Sequence, residues 1–157
     1  MKNSTIIGLT PFEKPDVNLM SQLFQAGAFP VLSLGHDIEI AQEALHQLDG
    51  NNIPSYGIYL TSDRLTSLQL PEQVSLAILP FGISVEIYPN VSRIYQVTNL
   101  EQAREAEQLG AVGIIVKGNE AAGFVGYEST FVLFQRVIQE IKTIPVWVQG
   151  GIGLHTA

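Results

Sequence analysis

Cysteine is absent from the 157 residues. That excludes disulfides, thiolate metal centres and cysteine nucleophiles, and it agrees with a reducing compartment; a cytoplasmic location is expected. Basic residues are scarce, 8 Lys and Arg against 15 Asp and Glu, for a formal charge of -7. An acidic surface with no basic run argues against a nucleic-acid face and against attraction to anionic lipid. No apolar run approaches the roughly 20 residues that a membrane helix needs. The short run after Met1-Lys2-Asn3-Ser4 does not make a signal-peptide core. No pair among the three histidines has metal-ligand spacing. No Gly-x-Gly-x-x-Gly follows the first apolar run, so the dinucleotide-binding fingerprint is missing.

What is present is apolar: 46% of residues are hydrophobic and 15% charged, as expected of a sheet buried on both faces. Short apolar runs alternate with helical patterns. Strands are predicted at 6–10, 30–34, 56–60, 76–79, 93–97, 113–116 and 145–148. Helices are predicted over 17–26 with Asp16 as N-cap and over 38–48 with Asp37 as N-cap. The second has Ile38, Ala41, Leu45 and Leu48 as its apolar stripe. A short or degraded helix is expected within 61–73. Thr98-Asn99-Leu100-Glu101 has capping-box spacing and opens a helix over 99–109. Ser129 or Thr130 starts another that runs to about Lys142. The stretch 81–90, with Val85-Glu86-Ile87 between turn formers, is the least legible.

One unit recurs. Gln25-Ala26-Gly27-Ala28, a strand and Gly35 parallel Gln108-Leu109-Gly110-Ala111, a strand and Gly118, with equal glycine-to-glycine spacing. Repeated helix-end, turn and buried-strand units argue for β and α elements alternating around one sheet. The fold class expected is α/β, a (β/α)8 TIM barrel. A whole barrel needs about 250 residues, so residues 1–157 read as one incomplete domain, an N-terminal fragment of about seven of the eight units.

In such barrels chemistry sits at the C-terminal strand ends. That selects Thr10, Pro11, His36, Asp37, 61–63, 80–82, Thr98, 117–128 and 149–155 as candidates. Gly150-Gly151-Ile152-Gly153 follows strand seven, where backbone N–H groups and a helix start often hold phosphate. Lys117-Gly118-Asn119-Glu120-Ala121-Ala122-Gly123-Phe124-Val125-Gly126 is small and flexible, so a flat ligand can approach its backbone; Lys117 offers a cation and Glu120 an acceptor. The plain alternative is a solvated loop with a surface Lys and Glu. His36 and His155 follow strands two and seven, and His46 lies on a helix and is expected to be solvated. Tyr56, Tyr59, Phe131 and Trp147 are expected to pack in the barrel or between its layers.

The segment 110–123 resembles the Gly-Ala-Asp-x-(apolar)₃-x-Gly-x-Glu-Ala-Gly-Gly signature of the nitronate monooxygenase (2-nitropropane dioxygenase) family. Ile144-Pro145-Val146-Trp147-Val148-Gln149-Gly150-Gly151-Ile152 is similar to that family's next strand and phosphate loop. The likeness extends over nearly the whole chain and is specific over 96–152. The wording Asn-Glu-Ala-Ala-Gly and Glu-Ser-Thr-Phe is similar to the versions carried as domains of polyketide synthases. The resemblance implies an FMN-dependent oxidoreductase, nitronate-oxidising or enoyl reductase-like. FMN phosphate would lie on Gly150, Gly151 and Ile152, with Lys117, Gly118 and Glu120 beside the ring or substrate. It further implies a small or carrier-bound acyl substrate and, as partners, further domains of a larger synthase. One departure stands out: family enzymes carry a histidine after Glu-Ala-Gly-Gly, and here the residue is Phe124, which cannot move a proton. Two rivals follow, a non-catalytic or docking barrel of a multidomain synthase and a different phosphate-binding barrel enzyme acting on a sugar phosphate.

Overall fold

The computed structural model describes residues 6–11, 13–83 and 90–153. His155 and the Val85-Glu86-Ile87 stretch lie outside them. The chain forms two compact units, one of Met1–Ile78 and Ile83–Val91, the other of Leu79–Gly82 and Ser92–Ala157.

In the first unit, β1 (Ile7–Leu9), β2 (Phe29–Ser33), β3 (Tyr56–Tyr59) and β4 (Val74–Pro80, whose tip belongs to the second unit) pair in chain order, all parallel. Every residue of β2 and β3 is buried, which explains why these strands read as unbroken apolar runs rather than alternating ones. Helix α1 (Val17–Gln25) starts where the Asp16 side chain accepts the Leu19 N–H at 3.0 Å, and α2 (Ile38–Asp49) where Asp37 accepts from Glu39 and Ile40. The buried stripe of α2 is Ala41, Ala44, Leu45 and Leu48. Ile38 is exposed rather than in that stripe, because it opens the first turn at the edge of the packed face. A 3-10 turn over Asp63–Ser67 takes the place of a helix between β3 and β4. His46 is exposed, beside Gln42 on the same helix.

In the second unit, β5 (Ser92–Val97), β6 (Gly113–Lys117) and β7 (Val146–Gln149) pair in chain order, again parallel. The tip of β4 joins them through the Phe81 N–H, which donates to the Gln96 carbonyl at 2.9 Å. Helix α3 (Leu100–Gln108) packs on β5 and β6, and α4 (Thr130–Glu140) on β6 and β7. The box that opens α3 is set one residue later than its spacing suggests. Asn99, not Thr98, accepts the Gln102 N–H at 2.9 Å, and Gln102, not Glu101, reaches back to the Thr98 N–H at 2.8 Å. Glu101 is exposed. Ser129 caps α4, and Glu128 pairs with Arg136, eight residues and about two turns further on.

The repeated unit is a structural repeat. After α1, the N–H groups of Ala26, Gly27 and Ala28 bond to the carbonyls of Gln22, Phe24 and Leu23; after α3, those of Leu109, Gly110 and Ala111 bond to Glu105, Glu107 and Ala106. Both are Schellman ends whose turning residue is left-handed, Gly27 at φ 82° and Gly110 at φ 78°, the conformation that costs glycine least. Of the aromatic residues expected to pack, Tyr56 and Tyr59 are buried and Trp147 half-buried against Gly113, whereas Phe131 is exposed at the start of α4.

Candidate functional site

Both strands that carry the expected site are one residue longer at the C-terminal end than their apolar runs. Lys117 is the last residue of β6 and Gln149 the last of β7, and the two are register partners. Partners in a parallel ladder point to the same face, and so do residues two apart on one strand. Gln96 pairs with Ile115, so Gln96, Ile115, Lys117 and Gln149 share one face. The opposite face, with Ile114, Val116 and their register partners Tyr95 and Val97, meets the helices and is apolar but for the Tyr95 hydroxyl. The polar groups therefore gather at the tips of three adjacent strands, on the face turned away from the helix layer.

Lys117 is fully buried, and its ammonium donates to the Ala122 carbonyl at 2.8 Å. Burial pushes its pKa below the ordinary lysine value. Gly123, left-handed at φ 75°, lies beside that ammonium; a Cβ there would be 3.9 Å from Nζ. The loop 118–126 is not a loose, flexible segment. Gly126 N–H returns to the Lys117 carbonyl at 3.3 Å, Asn119 N–H donates to Glu128 O at 2.9 Å, and the Asn119 side chain donates to Tyr127 O at 3.1 Å. Small residues here shape a pinned loop whose outer side, Phe124, Val125 and Tyr127, is exposed.

Glu120 has a defined structural task. Its carboxylate accepts from the Thr130 N–H at 2.8 Å and from the Thr130 hydroxyl at 3.0 Å, at the positive end of α4. These bonds hold its pKa below the ordinary glutamate value: the Thr130 backbone N–H contributes most, then its own N–H, while burial opposes them and the Thr130 hydroxyl adds the least. Thr130 is the hub: its Oγ1 also accepts the Gly118 N–H at 3.1 Å and lies 3.4 Å from the Gln149 carbonyl. Gly118 leaves no room for a side chain, since a Cβ would meet Thr130 N at 2.0 Å. The stability that Glu120 contributes is present above the ordinary glutamate pKa of about 4.3 and is lost as pH falls through its lowered value. Glu120→Gln should therefore flatten the acid limb of a plot of melting temperature against pH and leave the neutral limb parallel to wild type. Thermal melts from pH 3 to 7 check this.

Beyond β7, Gly150 and Gly151 are both left-handed, at φ 102° and 66°. A Cβ on Gly150 would strike Ala121 N at 2.7 Å, and one on Gly151 would stand 3.5 Å from the Glu120 carboxyl. The tip of β7 and the loop after β6 thus meet, bringing Lys117, Gly118, Glu120, Gly150 and Gly151 together; Ile152 follows, exposed. His36 is exposed beside Thr61 in the first unit, apart from this cluster's residues in sequence and in unit. Gln96 joins the site from inside a strand, outside the candidate strand ends. It is fully buried, and its Nε2 donates to Gln149 Oε1 at 2.9 Å. Its signal in the sequence is a lone amide inside the apolar strand Ile94-Tyr95-Gln96-Val97. Among the described residues no cluster of His, Cys, Asp and Glu could hold a metal ion, and no helix is long and apolar enough to cross a membrane.

No family model matches the chain, and no curated protein matches it. Among solved structures, FabK from Thermotoga maritima is similar with a TM-score of 0.79 and 22% identity, over 94% of this chain and 51% of that one. A point mutant of the same protein is similar with a TM-score of 0.74 and 26% identity, over 87% of this chain and 49% of that one. The chain thus spans about half the length of the structures it matches. Seven successive parallel strands, with a fold similar to about half of that chain, make this chain a partial (β/α) TIM barrel.

Proposed function

We propose that this chain belongs to an FMN-dependent oxidoreductase of the enoyl reductase-like branch of the nitronate monooxygenase barrel family. The similarity to FabK, an FMN-dependent enoyl-acyl carrier protein reductase of that family, supports the reading. The observation that carries it is the set of groups at the tips of β5, β6 and β7. A buried ammonium, amide groups and closely approaching glycine backbone suit a planar ligand whose edge is rich in acceptors, as the pyrimidine half of a flavin is. Lys117 would stand by the ring with Gly118 and Gly123 leaving the backbone close, and Gly150, Gly151 and Ile152 would take the phosphate end. Glu120 would serve by holding the loop and α4 in place. When bound, FMN supplies the hydride chemistry; the protein binds it, orients it and sets the charge around it. The substrate class proposed is a small or carrier-bound acyl compound.

Phe124 stands where family enzymes carry a proton-moving histidine, and its exposed ring has no acid–base capacity. That favours, as a second reading, a non-catalytic or docking barrel in a multidomain polyketide synthase. The test is reconstitution of the full-length protein with FMN. A yellow protein that retains one FMN per chain through gel filtration and is bleached by NADH or NADPH is the expected result. FMN retained without reduction by any nicotinamide or acyl substrate would move the assignment to the second reading. Indifference to FMN would end the flavin assignment.

A further inference from the structure

We propose that Gln149 donates a hydrogen bond to the ring of the bound cofactor and that Gln96 is the positioning residue that aims it. This rests on the flavin reading above and adds to it two residues on strands rather than loops. The bond between them joins residues 53 apart in sequence and runs from β5 to β7. Strands two places apart in a sheet are separated by about 10 Å, so both side chains must reach inward over β6 to meet. They do so on the face that carries Lys117, whose register partner is Gln149 itself.

The chemistry of the pair follows from its polarity. An amide has one acceptor oxygen and one two-proton donor. Gln96 Nε2 engages Gln149 Oε1, which fixes the Gln149 amide plane and leaves its NH₂ group as the outward end. That group makes no hydrogen bond to a described residue, and Gln149 is only half-buried. Gln96, by contrast, is fully buried, with the fully buried Ile94 before it on the same face of its strand. Burying an amide is costly unless it is bonded, and an aliphatic side chain would fill the same place without that cost. A buried glutamine whose bond sets the orientation of a half-exposed one is a supporting group behind a binding group. With Lys117 as its register partner on the same face, Gln149 adds a second donor side chain at these strand tips, which suits the nitrogen and carbonyl acceptors of an isoalloxazine.

The test uses the full-length protein and FMN titration. Gln149→Glu keeps an acceptor for Gln96 and removes the donor. Gln149→Met removes both, and Gln96→Leu removes only the aim. Expected for Gln149→Glu is FMN affinity at least tenfold weaker, with a changed visible spectrum of the bound flavin and the apoprotein melting temperature of wild type. Gln96→Leu should weaken FMN binding at least threefold in the wild-type background and have no effect on it in the Gln149→Met background. Wild-type FMN affinity and spectrum in both Gln149 variants would overturn the proposal while leaving the flavin reading standing. A common loss of melting temperature with unchanged FMN affinity in the folded fraction would reduce the pair to a cross-brace of the sheet. A wild-type protein that binds no FMN would remove the reading and the proposal together.

Discussion

Gly118→Ala should cost about 3 kcal/mol or more of unfolding free energy, at the upper end of what overpacking produces, and in urea denaturation the midpoint should fall accordingly. The added methyl group would stand 2.0 Å from Thr130 N, 2.5 Å from its Cα and 2.5 Å from its Oγ1. Two of these three obstacles are backbone, which has no rotamer into which to retreat. The tip of β6 and the first turn of α4 would have to separate, and with that movement go the Gly118 N–H bond to Thr130 Oγ1 and both bonds that Glu120 makes to Thr130. Gly27→Ala is the matched control. A Cβ there meets nothing within 4 Å, so its cost is the left-handed backbone alone, about 1–2 kcal/mol. If the two variants melt alike, the close approach of β6 and α4 is not what makes glycine necessary at 118.

The contrast shows which parts of the molecule can be read from residues in order. Schellman ends, N-caps and doubly buried strands are local: Asp16, Asp37 and Ser129 cap their helices through bonds that span two or three residues, and the two repeated turns share one bonding pattern. Periodicity and turn chemistry report these features because nothing distant decides them. The candidate site is different. Glu120 looks like a free loop acid until α4 arrives ten residues later and takes its carboxylate. Gln96 looks like an ordinary strand residue until Gln149 is brought to it from 53 residues away. Lys117 looks like the first residue of a loop, yet it is the last of a buried strand. Each of these depends on parallel register between strands joined by helices, which is set by packing and leaves no mark on local spacing. Phe131 and Ile38 show the reverse error. Both are large apolar residues, but each opens a helix at the edge of its packed face, where chemical type does not ensure burial.

Lys117→Met should separate stability from function. The methionine fills the volume of the lysine stem without an ion to desolvate, and a buried ammonium carries a penalty that its hydrogen bonds offset only in part. The bond to Ala122 O is among those forfeited, and Ala122 is exposed, so water can replace the lost donor there. The apoprotein should therefore be as stable as wild type or more so at neutral pH. Because burial lowers the Lys117 pKa, the unfolded chain binds more protons than the folded one between that lowered value and the ordinary lysine pKa of about 10.4. Wild-type stability should accordingly gain a rising component with pH across that window, and Lys117→Met should lack it. Under the flavin reading the same variant should bind FMN at least tenfold more weakly, consistent with the roughly 1.5–3 kcal/mol carried by a hydrogen bond to a charged group. Denaturation of the apoprotein between pH 7 and 10, with FMN titration at pH 7, reads both halves. An apoprotein that loses stability with FMN affinity unchanged would make Lys117 a clamp for the loop 118–126. Stability kept or raised with affinity lost is the pattern of a group held, at a cost to the fold, for its ligand.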